Sequence, residues 1–171
     1  MNANAEFLTK SAKIIEPTDG KTSKSRKIYV QGTRSDLLVP MRKINLTDSH
    51  SDRGTESNGS FFTYDTSEPY TDPTKKSDIK KGLKSLRRIW IEERGDTEKL
   101  KSVTSQFSQK QRAKNIPKEI RFPQRTQPRR AMGGNNVTQM HYARKGIITP
   151  EMEFIAIREN VLRQYYLENL S

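Results

Sequence analysis

No cysteine occurs among the 171 residues. Disulfides, thiolate-bound zinc and an iron-sulfur cluster held by this chain alone are thereby excluded. No apolar run reaches the roughly 18 residues that a membrane span requires. The opening MNANAEFLTKSAKII lacks the basic start, continuous apolar centre and small-residue cleavage site of a secretory signal, so a cytoplasmic protein is expected. Apolar residues are scarce at 31%, against a usual ~45–50% that also counts glycine. Such a chain either packs loosely or completes its core with something else. A Walker loop, a dinucleotide fingerprint and a nucleophile elbow are also missing.

Charge is plentiful. Charged residues reach 30%, and the net charge is +12. That balance admits nucleic acid, an acidic membrane surface or an anionic substrate as partner without proving any of them. Asn-x-Ser/Thr triplets start at Asn45, Asn58, Asn136 and Asn169, but without a secretion signal they read as chance matches.

Residues 1–25 read as a flexible leader. In RKIYVQGTRSDLLVPMRKINL, residues 26–46, two short strands around a turn are predicted. Pro40, which has no N–H to donate, puts the second strand at an edge or bends it there. TDSHSDRGTESNGS, residues 47–60, has no periodicity and predicts a mobile loop or insertion, with His50 in it and no partner evident. FFTYDTSEPYTDP, residues 61–73, predicts a rigid loop tied by its own Asp, Thr and Ser side chains.

Ile79, Leu83, Leu86, Ile89 and Trp90 fall on one face of a predicted amphipathic helix over 78–93. Gly82 inside it costs about 1 kcal/mol relative to Ala, and Gly95 supplies the stop. The Arg94-Gly95-Asp96 triplet allows an adhesion-motif reading, but a helix end is the simpler one. Residues 101–134 form a basic connector with Lys110, Arg112, Lys114, Lys118, Arg121, Arg125, Arg129 and Arg130. A phosphate-binding strip and a solvated linker both fit. The linker is preferred because Phe122 stands alone among the cations and base stacking needs more.

Thr149, Pro150 and Glu151 mark a helix start: a hydroxyl to cap a free N–H, a proline where no N–H is needed, and an anion at the positive end of the dipole. The helix is predicted from Pro150 to about Leu167. Met152, Phe154, Ile155, Ile157, Val161, Leu162, Tyr165 and Tyr166 cover more than half its circumference, so it is expected to need neighbours on several sides that this chain hardly supplies. His141, Tyr142 and Arg144 precede it and invite a catalytic reading. A lone His without further ligands at metal spacing is more commonly structural. No catalytic, cofactor-binding or metal-binding residue is assigned.

Four blocks, in order and with agreeing spacing, carry a family resemblance: RKIYVQG with VPMRKI, then YDTSEPYTDP, then KGLKSLRRIWIEERGDTE, then VTQMHYARKGIITPEMEFIAIREN. They resemble the amino-terminal part of phosphomethylpyrimidine synthase over about residues 26–167. Glu68 stands where the family usually has glycine, which bears on a left-handed turn there. RRAMGGNNVTQ replaces a more basic run before Val137.

The resemblance implies a radical S-adenosylmethionine lyase of thiamine biosynthesis. Such enzymes convert aminoimidazole ribotide to hydroxymethylpyrimidine phosphate as homodimers. The family has a central (β/α)8 barrel, a 4Fe-4S cluster on a terminal CxxCxxxxC segment, and a divalent metal, zinc or iron, on two barrel histidines. None of those ligands has a matching position in this chain. The expectation is therefore an amino-terminal fragment, split subunit or truncated form, inactive alone and binding no cofactor itself. Its partners would be the barrel and cluster domains and a second subunit, with no membrane and no nucleic acid. The expected fold is α+β and loop-rich: a leader at 1–25, an associated domain at 26–134 and a lead-in helix segment at 135–171, with no barrel. The alternative is a small basic nucleic-acid-binding or scaffold protein derived from that domain.

Overall fold

The computed structural model describes residues 13–16, 24–67, 70–76, 78, 82–102, 105–114 and 128–169. The architecture is α+β, with short antiparallel strands and a long helix from Pro150, and the described residues contain no barrel. The chain divides into two compact units, residues 1–77 with 148–171, and residues 78–147.

The first unit is built on a four-stranded sheet in the order β1-β2-β3-β6, from strands β1 (Lys13–Ile15), β2 (Ser25–Gln31), β3 (Leu38–Asn45) and β6 (Ser60–Tyr64). All neighbours are antiparallel. The predicted strand pair around a turn is thus present as β2 and β3, closed by the Gly32 N–H donating to the Leu37 carbonyl at 2.9 Å. Within the stretch read as a leader, Lys13–Ile15 instead pairs with Tyr29–Gln31. Alternation in β2 explains the gain: Ile28 and Val30 supply one apolar face, and the backbone edge beside them takes another strand.

Pro40 lies inside the sheet rather than on an edge strand, opposite Tyr29. Its position is still permitted. The β3–β6 ladder ends one residue later, at Met41 and Tyr64, so the missing N–H leaves no gap, while the Pro40 carbonyl accepts from the Asp65 N–H at 3.1 Å.

Register assigns the faces. Ile28, Val30, Val39, Met41 and Tyr64 share one side, and Lys27, Tyr29, Pro40 and Arg42 share the other. The apolar side meets α4 (Pro150–Asn169), whose Phe154 and Ile157 are buried and whose Phe154 ring sits edge-on to Tyr64 at 6.3 Å. The expectation that this helix finds few neighbours in its own chain is therefore corrected. One face of it closes the sheet's core, while Ile155 stays 46% exposed.

Two predicted loops resolve into more regular structure. Residues 47–60 contain a small exposed hairpin, β4 (Ser49–Ser51) with β5 (Gly54–Glu56). Gly54 takes a positive φ of 126° at its turn, and Ser51 Oγ donates to the Gly54 carbonyl at 3.3 Å, so turn chemistry supplies what apolar periodicity does not. His50 is partnered there by Thr55 Oγ1 at 2.9 Å. Residues 61–64 belong to β6, and the side-chain-tied loop begins only at Asp65. Glu68 lies outside the described residues.

The second unit has α1 (Arg88–Arg94), the pair β7 (Thr97–Lys99) with β8 (Arg129–Ala131), α2 (Gln106–Ala113) and α3 (Gln139–Arg144). The helix predicted over 78–93 is shorter: residues 82–87 are not helical, and Ile79 lies outside the described residues. Gly82 holds a positive φ of 69°, which an α-helix does not accommodate. Gly95 ends α1 as predicted, with φ 68° and its N–H donating to the Glu92 carbonyl. The basic connector at 101–134 includes α2 and β8, and residues 115–127 lie outside the described residues.

Candidate functional site

The polar face of the first unit's sheet is covered by the loop after β6, and it gathers Lys27, Asp65 and Asp72, the most buried charged groups among the described residues. Two aspartates organise it. Asp65 Oδ1 accepts from the Ser67 N–H at 2.9 Å and from the Ser67 hydroxyl, which also meets Thr71 at 2.6 Å. Asp72 Oδ1 accepts from the Thr74 N–H at 2.9 Å and the Thr74 hydroxyl at 2.6 Å. An acceptor side chain two residues before a donor is the Asx-turn pattern, repeated here in Asp-Thr-Ser and Asp-Pro-Thr.

The other oxygen of each aspartate reaches the sheet. Tyr29 Oη donates to Asp72 Oδ2 at 2.5 Å, and Lys75 Nζ donates to Tyr29 Oη at 2.9 Å while standing over its ring at 4.6 Å. Asp65 Oδ2 forms ion pairs with Arg42 Nη2 at 3.0 Å and Lys27 Nζ at 3.6 Å. The Lys27 and Asp65 side chains are each only 2% exposed, so this pair is held by charge in a site with almost no water.

Burial works against the ionised Asp72, but hydrogen bonds from Thr74 and Tyr29 and the charge of Lys75 outweigh it and draw its pKa down to about 2. Asp65 is lowered for similar reasons: burial opposes, and Ser67, Lys27 and Arg42 win. Both carboxylates therefore stay ionised and fully engaged near neutral pH. A general acid or base needs a pKa near the working pH and a free reach to substrate, and these groups have neither.

A third carboxylate ties the helix to the sheet. Glu153, in the first turn of α4, accepts from the Thr33 N–H at 2.6 Å and from Thr33 Oγ1 at 2.8 Å. Gly32 makes room for it: a Cβ there would stand 2.6 Å from Glu153 Oε1, 2.7 Å from Leu37 Cδ2 and 3.0 Å from Ile157 Cδ1. Thr149 caps α4 by accepting from the Met152 N–H at 3.3 Å, as its sequence position predicts.

In the second unit, Tyr142 donates its hydroxyl to Asp96, and the Arg94 guanidinium lies over the Tyr142 ring at 5.4 Å. Burial raises the Tyr142 pKa, and the hydrogen bond and negative charge of Asp96 raise it further, so it remains a phenol. His141 contacts Tyr142 only ring edge to face, at 5.7 Å, and Arg144 is exposed. The His141, Tyr142 and Arg144 cluster is thus not assembled around a common point. Arg94 and Asp96 sit at a helix end and hold Tyr142. Of the connector's cations, Arg129 donates to Thr97 Oγ1 at 2.9 Å and pairs with Glu92 at 3.4 Å, and Arg130 pairs with Glu98 at 2.7 Å.

Among the described residues, no group of three or more His, Asp or Glu could hold a metal ion, and no helix is long and apolar enough to cross a membrane. A 4Fe-4S cluster needs thiolate ligands, and a chain without cysteine does not fit that group.

The pieces define a class: an α+β fold in which buried and half-buried acids fasten a loop, a helix and a tyrosine to their neighbours. Residues 21–98 match the family model described as the ThiC-associated domain. That match supports an amino-terminal region of the ThiC type over those residues and implies a relation to thiamine biosynthesis. The match includes β2, β3, β6 and the aspartate loop, together with α1 and most of β7.

Proposed function

We propose that this chain is the architectural amino-terminal part of a phosphomethylpyrimidine synthase, docking on the barrel and helping to shape the dimer, with no radical chemistry of its own. The observation that carries it is the use of the buried and half-buried acids. Asp65, Asp72, Asp96 and Glu153 are each spent on a structural partner, within a chain whose residues 21–98 match the ThiC-associated domain. In the assembled enzyme the lyase chemistry on aminoimidazole ribotide, with its 4Fe-4S cluster, S-adenosylmethionine and zinc or iron, would depend on residues outside this chain. The reading is of a cytoplasmic protein.

The test is association. This chain, mixed with a barrel- and cluster-bearing phosphomethylpyrimidine synthase polypeptide, should co-elute with it as a stoichiometric complex on size exclusion. Independent elution at concentrations of tens of micromolar would sink the proposal.

A further inference from the structure

The short link between β5 and β6 holds a reactive pair of residues. The chain has nine asparagines, and Asn58 alone is followed by glycine. The backbone nitrogen after an asparagine is placed to attack that residue's side-chain carbonyl carbon, and a side chain on the following residue shields it. Glycine offers no shield and lets the backbone turn freely into the attacking geometry. Asn45, Asn136 and Asn160, by contrast, precede Leu46, Val137 and Val161.

The fold leaves this pair open. Asn58 and Gly59 are exposed and belong to no strand or helix. Gly59 holds a φ of 67°, and apart from its chain neighbours no atom lies within 4 Å of where its Cβ would stand. Its carbonyl accepts from the Leu46 N–H at 3.0 Å, but its own N–H makes no hydrogen bond among the described residues. The Asn58 amide, meanwhile, is an anchor. Its Nδ2 donates to the Thr47 carbonyl at 2.6 Å and to Ser49 Oγ at 2.8 Å, at the start of β4. The β4–β5 hairpin that it steadies consists of three residue pairs, all exposed, so it has no core of its own to hold it.

We propose that Asn58 is a site of spontaneous deamidation, and that its conversion releases the β4–β5 hairpin. Hydroxide takes the Gly59 amide proton as the nitrogen forms a bond to Asn58 Cγ. The Cγ–Nδ2 bond breaks, and Nδ2 leaves as ammonia after taking a proton from water. Water then opens the cyclic imide. Attack at Cγ gives aspartate, and attack at the Asn58 backbone carbonyl gives isoaspartate. The net change is one water in and one ammonia out, with no oxidation or reduction. Either product replaces the amide by a carboxylate, which has no proton to donate, so the bonds to Thr47 and Ser49 are lost. The new charge also joins a segment in which Asp48, Asp52 and Glu56 already outnumber Arg53, and like charges there favour the open hairpin.

Peptide mapping by mass spectrometry tests the site, on the whole chain incubated in mildly alkaline heavy-oxygen water, folded and in urea. In the folded chain Asn58 should convert before every other asparagine, take up one heavy oxygen and give isoaspartate as the larger product. The two hydrogen bonds on Nδ2 must open first, so conversion should be about tenfold slower than in urea rather than blocked. Gly59→Ala should slow it in both conditions. Asn58→Asp, which reproduces one product, should speed amide exchange across residues 49–56 by about fivefold and leave β2 and β3 unchanged. Conversion of Asn58 in urea but not in the folded chain, or earlier conversion of another asparagine, would overturn the site. Equal exchange across 49–56 in Asn58→Asp and the parent would overturn the release of the hairpin.

Discussion

Gly32 is where helix and sheet come closest, and it shows how a single residue can set the first unit's geometry. Its hydrogen atom lies where a methyl group would strike the Glu153 carboxylate, Leu37 and Ile157 together. Gly32→Ala should therefore push Glu153 off Thr33 and cost about 1–3 kcal/mol, read from the shift of the urea midpoint at constant slope. A variant within ~0.5 kcal/mol of the parent would show that the helix yields there.

Asp72 makes the second prediction at this scale. Its folded pKa of about 2 lies below the 3.8 it carries when unfolded, so the stabilisation is complete above about pH 4 and is lost as pH falls through about 2. Its size is on the order of 2 kcal/mol. Stability measured against pH should fall more steeply across that window for the parent than for Asp72→Asn. Parallel curves would mean that Asp72 is not held by Tyr29, Thr74 and Lys75 as described. Its role was half legible beforehand: Asp-Pro-Thr announces a local turn, but nothing near residue 72 announces that its second oxygen belongs to Tyr29, 43 residues earlier.

At the level of elements, local signals and distant partners separate cleanly. Thr149, Pro150 and Glu151 predict the start of α4 from capping chemistry alone, and the helix starts there. Thr149→Ala should cost about 1 kcal/mol of the first unit's stability, measured by thermal or urea unfolding, and should loosen exchange at the Met152 N–H. No change in either would make the 3.3 Å contact incidental. The strands β2 and β3 were equally readable because alternation and a glycine turn are local. β1 and the β4–β5 hairpin were not, since one needs the free edge of β2 and the other needs only turn bonds between exposed residues. The overlong helix prediction at 78–93 has the opposite cause. Its periodicity is real, but periodicity stabilises a helix only when something covers the apolar face.

For the whole molecule, the division into a unit with a closed core and a unit with exposed leucines recasts the low apolar content. The scarcity falls unevenly: the sheet and α4 hold most of the buried apolar side chains, while residues 78–147 bury only Trp90 and Tyr142 among the described residues. The sequence blocks pointed to a synthase's amino-terminal region, and the match over 21–98 agrees. What could not be read from the residues was which half leaves more of its apolar side chains exposed, because burial is a property of the folded chain. The central claim is that this chain supplies architecture while the chemistry lies elsewhere. The most direct test is reductive cleavage of S-adenosylmethionine by the chain itself, after reconstitution with iron, sulfide and reductant under anaerobic conditions. The predicted result is no 5′-deoxyadenosine above a protein-free control, and formation of 5′-deoxyadenosine in proportion to the amount of chain would contradict the account.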